Sequence, residues 1–169
     1  MTSSEFKQLI LPLKNKLFRF AQSFVSREDA EDVVQDVMIK CWEDIDRPQQ
    51  IDNIEAFSMK MVRNKSLDKL KKKGRNYLQV VDQYQLHSRE KDPHEKTGES
   101  ETISKIKDII SLLPQKQRNV INLRDIEGYS YNEIAETLEM STDQVKVNLH
   151  RARVYVREQM KKINAYGIS

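Results

Sequence analysis

The chain has 169 residues, enough for one ordinary domain or two small ones. Charged residues make up 33% and hydrophobic ones 38%, with four glycines and four prolines, a balance that suits a helical protein and argues against a sheet-rich one. The net charge of +3 is by itself weak evidence for a nucleic-acid partner. A lone Cys41 rules out an internal disulfide, no apolar run approaches a membrane span, and the N-terminus has no export pattern. A cytoplasmic chain without membrane insertion is expected.

Between residues 5 and 25, Phe6, Leu9, Ile10, Leu13, Leu17, Phe20, Ala21 and Phe24 recur at helical spacing, and Pro12 breaks or kinks that helix into two pieces. Ser26 with Asp29 caps the next helix, whose apolar stripe is Ala30, Val33, Val34, Val37, Met38, Cys41 and Trp42. Its outer face is acidic: Glu28, Asp29, Glu31, Asp32 and Asp36, with Glu43, Asp44 and Asp46 just beyond, opposed between residues 28 and 46 by Lys40 alone. After Arg47-Pro48 and the stretch Ile51 to Asn53, a third helix runs from about Ile54 to Lys73. From Lys60 onward the sign reverses, with Lys60, Arg63, Lys65, Lys69, Lys71, Lys72, Lys73 and Arg75 against Asp68 alone. Neighbouring helices of opposite outer charge either pair with each other or face two different partners. Scattered charges favour the first reading; a run ending in KKKGR favours a phosphate-facing surface.

From Asn76 to Glu101 the periodicity fades into polar residues punctuated by Pro93 and Gly98, which reads as a linker. His87 and His94 stand there without cysteines or clustered carboxylates, so no metal site is expected. Helical order returns with Ile103, Ile106, Ile110 and Leu113; Pro114 opens the next helix at its first position, Val120, Leu123 and Ile126 form its apolar side, and Gly128 ends it. Two short capping patterns follow, Ser130 with Glu133 and Ser141 with Gln144, across a break at Glu139-Met140. The first helix carries Ile134 and Leu138. The second has Val145, Leu149, Ala152 and Val156 on one side and Lys146, Asn148, His150, Arg151, Arg153 and Arg157 on the other. Two capped helices across a tight turn, the second basic outside and apolar inside, predict a helix-turn-helix. Such a turn usually takes glycine, because its backbone tends to positive φ, and Glu139 there carries a modest strain.

The predicted fold class is therefore all-α: two small helical domains joined by a flexible linker, the C-terminal one containing the helix-turn-helix, with boundaries at 1–77, 78–101 and 102–169. Glycine-rich phosphate loops, nucleophile elbows and histidines beside a serine or cysteine are missing from the sequence. Asp29 and Asp32 lie three apart on an exposed face with nothing to desolvate them, so an acid–base pair is not expected. The expectation is a binding protein without enzymatic activity or cofactor.

The residues also resemble a family. LPQKQRNVINLRDIEGYSYNEIAETLEMSTDQVKVNLHRAR, from Leu113 onward, is similar to the promoter −35 recognition region (region 4) of extracytoplasmic-function sigma factors. REDAEDVVQDVMIKCWE resembles their region 2.2, and AFSMKMVRNKSLDKLKKKGR their regions 2.3 and 2.4. The resemblance implies that Asp29, Asp32, Gln35 and Asp36 grip the β′ clamp helices of core RNA polymerase, with the β subunit as a further contact. It implies that Arg63, Asn64, Asp68 and Lys69 form a −10 surface, helped by the Ile51-to-Ile54 loop in pocketing a flipped base. Met59 and Met61 stand where principal sigma factors are richer in rings, which implies limited melting power and a strict demand for promoter sequence. Thr142, Lys146, Asn148, His150, Arg151 and Arg153 are implied to meet −35 promoter DNA, those near the helix start at base edges and the later arginines at phosphate. An anti-sigma factor is a further partner that the family commonly has. Glu139 and Asn148 depart from the family pattern. A linker of about 25 residues at roughly 3.3 Å each reaches at most about 80 Å. Two DNA elements about one and a half turns apart lie roughly 50 Å from each other, within that reach. Two other readings predict different behaviour: an ordinary regulator with a dimerisation or sensing N-terminal half, and a helical adaptor without promoter-selective binding.

Overall fold

Side-chain caps and one proline decide where the first helices begin and end. The computed structural model describes residues 2–44, 53–73 and 100–165, with no strand among them. Helix α1 (Ser3–Leu9) opens on a reciprocal capping box in which Thr2 Oγ1 accepts from the Glu5 N–H and Glu5 Oε2 accepts from the Thr2 N–H. Pro12 lies in a 3-10 turn, Leu11–Leu13, that separates α1 from α2 (Lys14–Gln22). Its missing N–H and fixed φ make that split the low-cost solution. Helix α3 (Arg27–Asp44) is headed by Ser26, whose hydroxyl accepts from the Asp29 N–H at 3.4 Å. Helix α4 (Ile54–Lys72) is headed by Asn53, whose side chain accepts from the Ala56 N–H at 3.0 Å.

Two compact helical units follow from the backbone contacts. In the first, α2, α3 and α4 pack on one another. Leu17, Phe20 and Ala21 from α2 meet Ala30, Val33, Val34, Val37 and Cys41 from α3 and Met59, Val62 and Leu70 from α4, all buried. Each fully buried aliphatic side chain contributes roughly 1.5–3 kcal/mol. Cys41 Sγ lies 3.4 Å from Ser58 Oγ, and burial pushes its thiol pKa up in spite of that contact, so it packs as a small hydrophobe. Two expected core members fall outside. Leu9 is exposed because the seven-residue α1 buries none of its side chains. Trp42 is 45% exposed, since it stands about 100° around the helix from Cys41. It rests edge-on against Phe6, with ring centroids 5.0 Å apart.

The second unit is built from α5 (Glu101–Ser111), α6 (Gln115–Ile121), the start of α7 (Tyr131–Leu138) as far as Ala135, and the long α8 (Thr142–Ala165). Helices α5 and α6 both pack on α8. Ile109, Ile110, Leu113, Val120, Ile121, Leu123, Ile134, Val145, Leu149 and Ala152 are buried, whereas Ile103 in the first turn of α5 is exposed. Pro114 is the residue before α6 rather than its first, with an extended ψ of 148°. Arg118, though charged, is buried and donates to the Leu113 carbonyl at 3.2 Å, in the turn between α5 and α6.

The expected run of α6 to Gly128 is interrupted. From Asn122 to Ile126 the backbone loosens into a single π turn, in which the Glu127 N–H bonds the Asn122 carbonyl five residues back at 3.0 Å. That wider turn rotates Ile126 out of the core register, and it is exposed where a helical stripe would bury it. Gly128, at φ 79°, then reverses the chain, and the Tyr129 N–H reaches back to the Leu123 carbonyl at 2.9 Å. Between α7 and α8, Glu139 has φ 54°, the left-handed conformation that a glycine takes without strain. Two substitutions should therefore act with opposite sign in denaturant unfolding of the full chain. Glu139→Gly raises the unfolding free energy by up to about 1 kcal/mol, and Gly128→Ala lowers it by about 1 kcal/mol. A Glu139→Gly chain no more stable than Glu139→Ala would exclude backbone strain at this turn, since both changes remove the same carboxylate.

Candidate docking and nucleic-acid surfaces

The charged faces of α3 and α4 are not separate. Lys69 Nζ lies 3.2 Å from Asp32 Oδ2 and 3.6 Å from Asp29 Oδ1, and Lys73 pairs with Asp29 as well. Partial burial opposes ionisation of Asp29, but the hydrogen bond and charge of Lys73, with Lys69 behind them, outweigh it and hold the carboxyl below its usual value. Burial likewise works against the Lys69 charge, and the Asp32 and Asp29 carboxylates overcome it to raise its pKa. At roughly 100° per residue, Asn64 and Asp68 share the outward arc of α4, while Arg63 and Lys69 lie at the two edges of the buried stripe. The four residues expected at the −10 element are thus divided: Asn64 and Asp68 are exposed, Arg63 is half-buried with Nη1 3.2 Å from Asn64 Oδ1, and Lys69 turns to α3. Met59 is buried in the core and offers no stacking surface.

On α3, Gln35 and Asp36 are exposed, Asp32 is exposed beside Lys69, and Asp29 is half-buried beneath Lys73. The structure adds two residues that the sequence reading did not place here. Ile39 is 53% exposed, and Asp32, Gln35, Ile39 and Trp42 run at spacings of three, four and three along one outward line. An apolar centre rimmed by carboxylates is the composition of a protein-docking surface. Ile39 was detectable, because it breaks the period of the Val33, Val37 and Cys41 stripe.

The helix-turn-helix forms as the caps require. The Glu133 N–H donates to Ser130 Oγ at 3.1 Å, and Ser141 and Gln144 close a full reciprocal box at 3.0 and 3.1 Å. Val145, Leu149 and Ala152 are buried, while Lys146, His150, Arg151 and Arg153 are exposed and Thr142 and Asn148 are half-buried. Two expected DNA contacts already have intramolecular partners. The Asn148 side-chain amide donates to the Gln144 carbonyl at 2.8 Å, and Arg153 grips Asp125 through two prongs at 2.9 and 2.6 Å. Tyr131 at the head of α7 lies beneath the Arg124 guanidinium, 4.7 Å from the ring centroid, with Lys146 Nζ at 5.8 Å. Val147 stands exposed among the basic residues. Arg124, Asp125 and Tyr131 gave no periodic signal, because Arg124 and Asp125 lie in a π turn and their partners, Tyr131 and Arg153, lie in other elements.

Among the described residues no cluster of side chains fits a metal ion, and no helix is long and apolar enough to cross a membrane. Ile51, Asp52, Asp46, Arg75, His87 and His94 lie outside the described residues, as does the linker up to residue 99.

Residues 9–76 match the family model for sigma-70 region 2, and residues 103–155 the model for sigma-70 region 4. The chain belongs to the sigma-70 family, in its extracytoplasmic-function class. It is 26% identical over 167 residues to the ECF RNA polymerase sigma-E factor of Haemophilus influenzae, across 94% of this chain and 88% of that one. It is 26% identical over 150 residues to RNA polymerase sigma factor SigV of Bacillus subtilis, across 88% of this chain and 87% of that one. Among solved structures it is similar to the sigma factor RpoE of Bartonella quintana, crystallised with the anti-sigma factor NepR. That match has a TM-score of 0.75 and 28% identity, covering 94% of this chain and 98% of the other. The region 2 match contains α3 and α4, and the region 4 match contains the helix-turn-helix through Tyr155.

The α3–α4 ion pairs make the stability of the chain pH-dependent with a definite sign. Folding lowers the Asp29 pKa, so its contribution is complete above the unfolded value near 3.8 and is lost as pH falls through the folded one. Folding raises the Lys69 pKa, so its share is complete below about 10.5 and is lost only as pH rises through the folded value. Asp29→Asn should lower the unfolding free energy at neutral pH by about 1 kcal/mol. It should also flatten the acid limb of a denaturation series run down from about pH 5. An unchanged acid limb would show that Asp29 is not a source of that dependence.

Proposed function

We propose that this sigma-70 family chain docks on core RNA polymerase through α3 and directs promoter-selective transcription initiation by holding the −10 and −35 elements with its two units. The observation that carries the reading is the pairing of two family-matched units, each offering one helix with a buried stripe and a charged outer face. On α3 that face is acidic and amide-bearing around Ile39, which fits a basic coiled coil such as the β′ clamp helices: opposite potentials steer the encounter and set the register. Asp32, Gln35 and Asp36 are its outward polar residues, and Asp29 supports them from beneath Lys73.

On α4, Arg63, Asn64 and Asp68 supply the −10 contact, with Lys69 joining when it leaves its carboxylates. On α8, Thr142, Lys146, Asn148, His150 and Arg151 meet the −35 duplex, the residues of the first turns at base edges. The corresponding division of the chain is 1–77 for the core and −10 functions, 78–101 for the connection and 102–169 for −35 recognition. The work is binding without chemistry, carried out in the cytoplasm where polymerase and promoter are. An anti-sigma factor is a natural regulator, since the similar RpoE forms a complex with the anti-sigma factor NepR.

Run-off transcription from genomic DNA with purified core polymerase tests the whole reading. The chain should bind core and yield a discrete set of start sites; no core binding would decide for an ordinary regulator, and no sequence selection for an adaptor. Asp32→Lys with Asp36→Lys should weaken core binding by roughly tenfold with the chain still folded. Lys146→Ala should cost about 1–3 kcal/mol at the −35 element while leaving core binding unchanged.

A further inference from the structure

Arg153 has the composition of a phosphate contact, a guanidinium on the basic side of a recognition helix, but two of its five N–H donors are already committed. Nε donates to Asp125 Oδ2 at 2.9 Å and Nη2 to Asp125 Oδ1 at 2.6 Å, the fork-to-carboxylate geometry in which two parallel bonds fix both distance and orientation. The two residues are 28 apart in sequence, so the pair joins separate elements. Asp125 belongs to the π turn Asn122–Ile126, a local departure from helix that turns its side chain toward α8. The preceding residue, Arg124, lies 4.7 Å above the Tyr131 ring centroid and donates to the Tyr129 carbonyl at 2.9 Å. Lys146, seven residues before Arg153 and on the same flank of α8, approaches the same ring at 5.8 Å. The turn, the first residue of α7 and two turns of α8 are thereby tied along one line.

We propose that Asp125 is a positioning residue for −35 recognition: through its two-pronged grip on Arg153 it straps the π turn to α8 and sets how the recognition helix is presented to DNA. The inference rests on the reading of α8 as the −35 helix. It assigns Arg153 to the protein's own geometry instead of to phosphate. Loss of either member then weakens DNA binding through orientation, and the number of phosphates neutralised stays the same. A phosphate contact held in check by Asp125 behaves oppositely: freeing Arg153 strengthens binding, and removing it lowers the salt slope by about 0.9.

The test uses full-length chain with core polymerase, on a duplex that the wild-type complex has itself selected from a randomised pool, titrated over a series of salt concentrations. Asp125→Asn and Arg153→Gln should each weaken binding roughly three- to tenfold with an unchanged salt slope. The exchanged variant, Asp125→Arg with Arg153→Asp, should recover most of the loss, because the strap reforms with reversed polarity. Tighter binding by Asp125→Asn, a slope lower by about one in Arg153→Gln, or an exchanged variant worse than either single one overturns the strap. Failure of the wild-type complex to select any duplex overturns the −35 reading itself, a distinct result. Circular dichroism melts of the three variants confirm that each is folded.

Discussion

Each helix of this protein can bury only one stripe, and that constraint governs what every other residue is able to do. On α3 the buried stripe is Ala30, Val33, Val34, Val37 and Cys41, and on α8 it is Val145, Leu149 and Ala152. Once those side chains are in the core, the remaining arc of each helix faces outward whatever its composition. Selection on function can then act on that arc at little cost to folding. The charged and polar residues of interest all lie on it, and the strongly apolar exceptions, Ile39 and Trp42 on α3 and Val147 on α8, lie among them.

A second constraint is electrostatic, and it appears in the same form in both units. A positively charged helix surface is self-repelling unless neighbouring carboxylates offset it. In the first unit Lys69 and Lys73 turn to Asp29 and Asp32. In the second, Arg153 turns to Asp125. In both, the ion pair joins different helices or turns, so it fixes their mutual register as well as neutralising charge. Among the described residues, the exposed cations outside this pairing include Lys71 and Lys72 on α4, and Lys146, Arg151, Arg157, Lys161 and Lys162 on α8. A count of basic residues therefore overstates the positive surface offered to nucleic acid.

Backbone geometry supplies the third ingredient. The π turn at Asn122–Ile126 and the positive φ values at Gly128 and Glu139 flank α7 on its two sides. Each departs from regular helix, and together they set the path of the chain through the helix-turn-helix. The looser turn exposes the isoleucine and makes the ion pair. The same local irregularity thus has an apolar cost and an electrostatic return.

From its residues alone the chain disclosed its all-helical class, the split at Pro12, the Ser26, Ser130 and Ser141 caps, the buried stripes of α3 and α8 and the family resemblance carried by three motifs. These features are local: a cap spans four residues, a stripe repeats every three or four, and neither needs a distant partner to be recognised. Tertiary structure alone decided which outward charges are already engaged. Lys69 and Asp32 are 37 residues apart and Arg153 and Asp125 are 28, so no period connects them. It also decided that Met59 is core, that Trp42 and Ile126 are not, and that a π turn replaces the last turn of a helix. Helical periodicity says which side of a helix is apolar; what stands opposite that helix depends on how the chain folds back, and that is where these pairings arise.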